Sequence, residues 1–107
     1  MDVIMTRLLK DFADEFPDDA CPISEWIDAV KDEMWTCFGD ARRKFGSVSI
    51  YRECLIFNIA GNKYRLVCGV RYANVGKSGR PTRAILFVKA IMTHKDYDED
   101  RWKCLCE

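Results

Sequence analysis

The residues of this chain that could do chemistry near neutral pH are one histidine, a nearby phenol and a row of cations. His94 is the sole histidine, and Tyr97 follows it by three positions. Lys63, Arg65 and Arg71 fall on the same side of an upstream segment in which apolar and polar residues alternate. Histidine is the usual acid or base at pH 7, although a single histidine is also common as an ordinary surface residue. Its role therefore depends on what the fold places beside it.

An imidazole, a phenol and several cations are what RNA transesterification needs. In that reaction the 2′-hydroxyl attacks the adjacent phosphate, cationic groups stabilise the pentacoordinate dianion, and an acid protonates the leaving 5′-oxygen. The reaction requires no metal. It does require the strand that starts at Lys63 to lie beside the strand that ends at His94. We therefore expect the Arg65 guanidinium and the His94 imidazole to lie within a phosphate's width of each other.

Charge is strongly segregated along the chain, although the formal net charge is zero. Residues 1–40 contain 11 acidic and three basic residues, whereas residues 41–95 contain 12 basic residues and one acidic residue, Glu53. A positive surface attracts phosphate even on a neutral molecule. The pattern is compatible with nucleic-acid binding and equally with two halves that neutralise each other in the fold.

The first half of the chain has helical periodicity. Residues 1–5 are short and apolar enough for an edge strand. Thr6 is a suitable N-cap for a first helix, and Pro17 ends that helix. A second helix is predicted from Pro22 to Gly39. Its apolar stripe consists of Ile23, Trp26, Ile27, Val30 and Met34. Residues 40–45 are expected to form a short turn.

From residue 47 onward the apolar period becomes two, which is typical of strands. Gly61 and Asn62 fit a two-residue hairpin turn, residues 74–82 a polar loop, and residues 84–92 a central strand buried on both faces. The strand after the turn places Tyr64, Leu66 and Cys68 on the face opposite its cations. These elements predict one α+β domain over residues 1–107, a small antiparallel sheet with two or three N-terminal helices packed on one face.

The composition excludes several classes of protein. No apolar run approaches the roughly 18 residues that a membrane span needs, and the acidic N-terminus does not resemble a signal peptide. We therefore expect a soluble, cytoplasmic domain without a membrane partner. The Gly76-Lys77-Ser78 sequence is not a phosphate-binding loop, because that motif needs a glycine where Arg71 stands.

Six cysteines occur in the chain, but the apolar content is sufficient for a core without disulfides. We expect Cys37, Cys54 and Cys68 to be buried free thiols. Cys104 and Cys106 form a C-x-C pair with no second pair or histidine nearby, which favours a reduced, unstructured tail over a metal site.

Two stretches resemble the HigB-type toxins of bacterial type II toxin–antitoxin systems. The first is Leu55–Val67, LIFNIAGNKYRLV, and the second is Thr93–Asp98, THKDYD. Phe16-Pro17 at the end of the first helix and Trp26 in the second fit the same family. The resemblance implies a RelE-like fold and an mRNA endonuclease that acts on translating ribosomes without metal or cofactor. It also implies a cognate helix-turn-helix antitoxin, with which a hetero-oligomer is expected.

The same resemblance assigns roles to individual residues. Arg65 is expected to stabilise the phosphate, and His94 and Tyr97 to supply acid, base or stacking groups, with the proton carrier left open. The positions expected to bind RNA or phosphate are Asn62, Lys63, Arg71, Lys89, Thr93 and Lys95. Glu53 is a further candidate base, although its match is poor. Two other functions stay open, a non-catalytic RNA- or protein-binding module on the same fold and a gyrase-targeting relative.

Overall fold

The computed structural model describes residues 1–4, 6–61, 63–73 and 83–106. Asn62 and the predicted loop 74–82 lie outside these residues. The helices are α1 (Thr6–Glu15), α2 (Ala20–Lys31), α3 (Phe38–Lys44) and α4 (His94–Asp98), with 3-10 helices at Pro17–Asp19 and Arg101–Cys106. The strands are β1 (Asp2–Ile4), β2 (Ser49–Tyr51), β3 (Cys54–Ile59), β4 (Tyr64–Arg71) and β5 (Ile85–Thr93).

The strands form one sheet in the order β1-β5-β4-β3-β2. Strands β2 to β5 pair antiparallel, as predicted, whereas the edge strand β1 pairs parallel with β5. A parallel partner is possible there because most of the chain separates β1 from β5, so no tight turn joins them. The predicted α+β class is confirmed, with a mixed sheet in place of a purely antiparallel one.

The main core lies between the helices and one face of the sheet. Phe57 of β3 is at its centre, with ring contacts to Trp26 of α2, to Trp35, and to Phe45 after α3. From β4 the core takes Tyr64, Leu66 and Cys68, the face predicted from the alternation. Arg65 and Arg71 therefore lie on the opposite face of β4.

The second helix is shorter than predicted. It ends at Lys31, and Gly39 lies inside α3, which covers most of the expected turn at 40–45. Met34 is half exposed, because the core takes the neighbouring Trp35, which is 2% exposed. The indole of Trp35 stacks on Phe57, and its carbonyl accepts a hydrogen bond of 2.8 Å from the backbone of Ala73. Because Trp35 makes these long-range contacts, the apolar stripe of the second helix does not extend to Met34.

The turn between β3 and β4 is longer than a two-residue turn. Ile59 pairs with Tyr64, which leaves residues 60–63 as the connection. Ala60 and Gly61 have positive φ values of 54° and 69°. The prediction that the turn uses a glycine with positive φ is therefore confirmed at Gly61. The sequence predicts that strand β5 is buried on both faces. Its side chains are fully buried only on the face that packs against the helices, where Leu86 and Val88 lie.

The second face of the sheet carries a smaller apolar cluster, because the C-terminal 3-10 helix packs on it. Trp102 and Cys106 lie there against Ile56 and Val67. Cys106 forms a disulfide with Cys54 of β3, with 5.8 Å between their Cα atoms. The predictions of a free Cys54 and of an unstructured reduced tail are therefore wrong, since the sequence gives no sign that residues 101–106 fold back.

Of the two remaining predictions of buried free thiols, the one for Cys68 is confirmed and the one for Cys37 is wrong in its burial. Cys68 is buried and free as expected, and burial raises the pKa of its thiol. Cys37 is free but exposed, because it immediately precedes α3 at the surface. Since Cys106 is oxidised with Cys54, it cannot pair with Cys104 as a thiolate ligand of a metal. Within the part of the chain that the structure describes, the helices are too short or too polar to cross a membrane.

Candidate active site

The candidate site lies where β4 begins and β5 ends. The antiparallel register pairs Tyr64 with Thr93 and Arg65 with Met92. Helix α4 then starts at His94, and the Thr93 side chain caps it by accepting a hydrogen bond of 3.3 Å from the Asp96 backbone N–H. The hairpin register thus brings α4 alongside the first residues of β4.

Arg65 and Tyr97 are in direct contact at this corner. The guanidinium carbon lies 5.6 Å from the centre of the Tyr97 ring, a distance at which a cation and an aromatic ring attract each other. Nη1 of Arg65 also donates a hydrogen bond of 3.3 Å to its neighbouring carbonyl, that of Tyr64. Both side chains are partly exposed. The contact holds a cation and a phenol together at the surface.

His94 lies one helical turn before Tyr97 on α4, a spacing that puts both side chains on one face of the helix. Its ring is 53% exposed, and Nδ1 lies 3.0 Å from Oδ2 of Asp98. A carboxylate on one ring nitrogen orients the imidazole and leaves Nε2 for a reacting group. Arg65 thus contacts Tyr97, and His94 lies one helical turn from Tyr97 on the same short helix.

The ring of Tyr97 has a second aromatic neighbour. Trp102 stacks on it with the ring centres 5.0 Å apart and the planes 11° from parallel. The Trp102 indole N–H also donates a hydrogen bond of 2.9 Å to the Tyr97 carbonyl. Tyr51 of β2 contacts Trp102 edge-on, with 5.3 Å between ring centres. The C-terminal 3-10 helix thus covers part of the candidate site.

A family model, described as the HigB toxin, a RelE-like toxic component of a toxin–antitoxin system, matches residues 19–100. The chain belongs to the HigB toxin family. The matched range contains Arg65, His94 and Tyr97, and ends before Trp102 and Cys106. A search of curated proteins finds no match. Membership makes this protein the toxin of a toxin–antitoxin system, and a cognate antitoxin is its partner.

In this HigB-family toxin, Lys63 is bound by an acidic partner from the helical layer. Its Nζ lies 3.1 Å from Oδ2 of Asp19, and the Tyr64 hydroxyl donates a hydrogen bond of 2.6 Å to the same oxygen. The hydrogen bond from Tyr64, followed by that from Lys63, holds the pKa of Asp19 below the usual aspartate range. The same bond raises the pKa of Tyr64. These contacts join the start of α2 to the start of β4.

The Asp19 contacts predict a pH dependence of stability. Because the folded state lowers the pKa of Asp19, its carboxylate stabilises the fold above the ordinary aspartate pKa, and that stabilisation is lost as pH falls through the lowered value. We expect Asp19→Asn to lower the free energy of unfolding at pH 7. The difference from the unsubstituted toxin should shrink as pH falls below the ordinary aspartate range. Urea unfolding at a series of pH values measures both.

Asp18→Asn is the matched control, because Asp18 is exposed and adjacent. It should leave the free energy of unfolding and its pH dependence nearly unchanged. A gap between the toxin and Asp19→Asn that stays constant as pH falls below the ordinary aspartate range would contradict the assignment.

The other predicted phosphate-binding residues are dispersed. Lys95 is exposed on α4, next to His94, and Thr93 caps that helix. Lys89 extends over Gly69 and donates a hydrogen bond of 2.6 Å from Nζ to the Leu105 carbonyl. The fold therefore brings Thr93 and Lys95 to the corner and directs Lys89 to the C-terminal 3-10 helix.

Arg71 lies at the far end of β4. It is six positions along the strand from Arg65, a distance of roughly 20 Å. There it lines a cavity of about 640 Å³ together with Arg52 and Glu53. Glu53, the further candidate base, is therefore also remote from the corner. Asn62 lies outside the described residues.

Sequence reasoning missed two residues that shape this corner, Asp98 and Trp102. The spacing of four residues from His94 to Asp98 was a usable signal, since it lets side chains meet within a helix. Trp102 carried no such signal, because its stacking on Tyr97 depends on how the chain turns after α4.

Proposed function

We propose that this HigB-family toxin is a ribosome-dependent mRNA endoribonuclease. The contact between the Arg65 guanidinium and the Tyr97 ring, one helical turn from His94, is the observation that supports it most directly. A fixed cation, a phenol and an oriented imidazole at an exposed corner are suited to a phosphate that changes charge during reaction. The basic segment around them favours RNA as the source of that phosphate.

The proposed reaction is attack of the RNA 2′-hydroxyl on its own 3′-phosphate. Arg65 binds the non-bridging phosphate oxygens and stabilises the negative charge that grows on them. His94 or Tyr97 takes the proton of the 2′-hydroxyl or gives one to the leaving 5′-oxygen. Asp98 keeps the imidazole oriented through Nδ1. The products are a 2′,3′-cyclic phosphate and a free 5′-hydroxyl.

The proposed partners follow from the same chemistry. Lys95 and the cap residue Thr93 lie beside the corner and are suited to bind the RNA backbone. In the cytoplasm, mRNA on the ribosome is the expected substrate, and a helix-turn-helix antitoxin of the HigA type is the expected inhibitor. We expect the two proteins to form a hetero-oligomer.

A non-catalytic RNA-binding module on the same fold is the second candidate. The basic segment 41–95, with 12 basic residues and one acidic residue, supports it, because such a surface can bind RNA whether or not the corner is catalytic. The two candidates differ in one respect, the appearance of new RNA ends.

Expression of the toxin without antitoxin is the experiment that separates them. We expect growth arrest and new 5′-hydroxyl ends in mRNA, mapped by sequencing of RNA ends. In a translation reaction, mRNA with a single 2′-deoxy nucleotide at a mapped cut site should resist cleavage there, because the attacking hydroxyl is missing. The matched all-ribose mRNA is the control. Salt-dependent RNA binding without new ends would favour the binding module.

A further inference from the structure

Residues 99–106 form a segment, here called the C-terminal clamp, that lies over the second face of the sheet. Its anchor is Trp102, which is 5% exposed between Tyr97 and Tyr51. Lys89 of β5 adds one hydrogen bond, to the Leu105 carbonyl. The clamp therefore contacts the candidate active site directly, through the ring of Tyr97.

The clamp has a further attachment to the sheet, from Lys103, whose Nζ lies 5.2 Å from the centre of the Tyr51 ring. Its ion pairs join Arg101 to Glu99 and Lys103 to Asp100, so they lie within the clamp and do not tie it to the sheet. The Arg101 side chain is 88% exposed. Asp100 has a positive φ of 62°, a conformation that costs a non-glycine residue free energy. Among the described residues, the packing of Trp102 and Cys106 on the sheet, the contacts of Lys89 and Lys103, and one disulfide hold the clamp in place.

The covalent bond is the disulfide from Cys106 to Cys54, across 52 residues of sequence. Cys54 is fully buried in β3, whereas Cys106 retains 7% exposure. Cys106 also lies beyond residue 100, where the match to the family model ends. The disulfide is thus at the far end of the clamp from Tyr97, where it limits how far the clamp can lift.

We propose that the Cys54–Cys106 disulfide is a reversible redox site, and that its reduction by a dithiol releases the clamp from Tyr97. A thiolate of the dithiol attacks Sγ of Cys106, the more exposed of the two residues, and forms a mixed disulfide. The electron pair of the broken S–S bond leaves on Cys54, which takes up a proton. The second thiol of the dithiol then displaces Cys106, so two electrons pass to the protein and the dithiol becomes a disulfide.

Release exposes the surface that an RNA base would stack on. Trp102 leaves the ring of Tyr97, and the Arg65–Tyr97 pair becomes open to a nucleotide. This consequence rests on the proposed function, whereas the release itself does not. In the oxidised toxin the corner is partly closed, and in the reduced toxin it is open.

The test compares oxidised toxin with toxin reduced by dithiothreitol, the dithiol probe. Trypsin cleavage after Arg101 and Lys103 reports release of the clamp, and we expect reduction to speed it by about tenfold or more. Cys106→Ser should be cleaved at the fast rate without the probe. Cys104→Ser is the matched control, because Cys104 is free, exposed and in the same segment, and it should respond as the unsubstituted toxin does. Equal cleavage rates in the oxidised and reduced toxin would overturn the proposal.

RNA measurements separate this proposal from the proposed function. A 2′-O-methyl RNA oligonucleotide, which lacks the attacking 2′-hydroxyl and so is not cleaved, should bind the reduced toxin about tenfold more tightly than the oxidised one. Fast trypsin cleavage on reduction with unchanged oligonucleotide affinity would overturn control of the site by the clamp. Release and tighter binding without mRNA cleavage in either state would support the clamp and refute the nuclease. A cooperative thermal transition of Cys106→Ser shows that its fast cleavage is local.

Discussion

Replacement of His94 by alanine is expected to reduce mRNA cleavage by about 10²–10⁴-fold, the range for loss of a positioned acid or base. The His94 ring is 53% exposed, so its removal leaves no cavity in the core. The thermal transition should therefore stay within a few degrees of that of the unsubstituted toxin. Quantitative mapping of 5′ ends in a translation reaction measures the loss, and expression without antitoxin should no longer arrest growth.

Two further variants are needed to interpret the loss of cleavage in His94→Ala. Asp98→Asn keeps the imidazole and weakens the contact that orients it, so we expect a smaller loss than for His94→Ala. Lys10→Ala removes an exposed residue of α1, in the helical layer, and should cleave as the unsubstituted toxin does. If His94→Ala cleaved at the full rate, the proton would have to be carried by Tyr97 or by solvent.

Replacement of Arg65 by alanine is expected to reduce cleavage by about 10²–10³-fold, as for other groups that stabilise transition-state charge. Arg65→Lys keeps the charge but loses the planar fork that can bind two phosphate oxygens, so partial activity should remain. Tyr97→Phe keeps the ring that the guanidinium lies against while removing the hydroxyl. A large loss in that variant would identify the phenol as a proton carrier.

The control for Arg65 is Arg42→Ala, which removes an equal charge from an exposed position on α3, within the helical layer. Its cleavage rate should be nearly unchanged. Equal losses in both arginine variants would mean that the general charge of the toxin, and not a phosphate contact at Arg65, determines the rate. The salt dependence of RNA binding distinguishes these cases, because each phosphate contact adds to its slope.

The amino-acid sequence alone determined the α+β class, most of the strands and, along β4, which side faces the core. Alternation along β4 correctly assigned Tyr64, Leu66 and Cys68 to the helix-covered face. Local periodicity is sufficient for this, since successive side chains of a strand point to opposite faces. The two motif stretches also identified the family, because they preserve residue types at fixed spacing.

Only the tertiary structure decided which of the predicted site residues meet. Arg65 and Arg71 share a face of β4, yet the pairing of Arg65 with Met92 brings only Arg65 to α4. Asp19 binds Lys63 from 44 residues away, and Cys106 reaches Cys54 across 52 residues. Such contacts depend on strand register and on the path of the chain between elements. The residues near each partner in sequence therefore carry no signal for them.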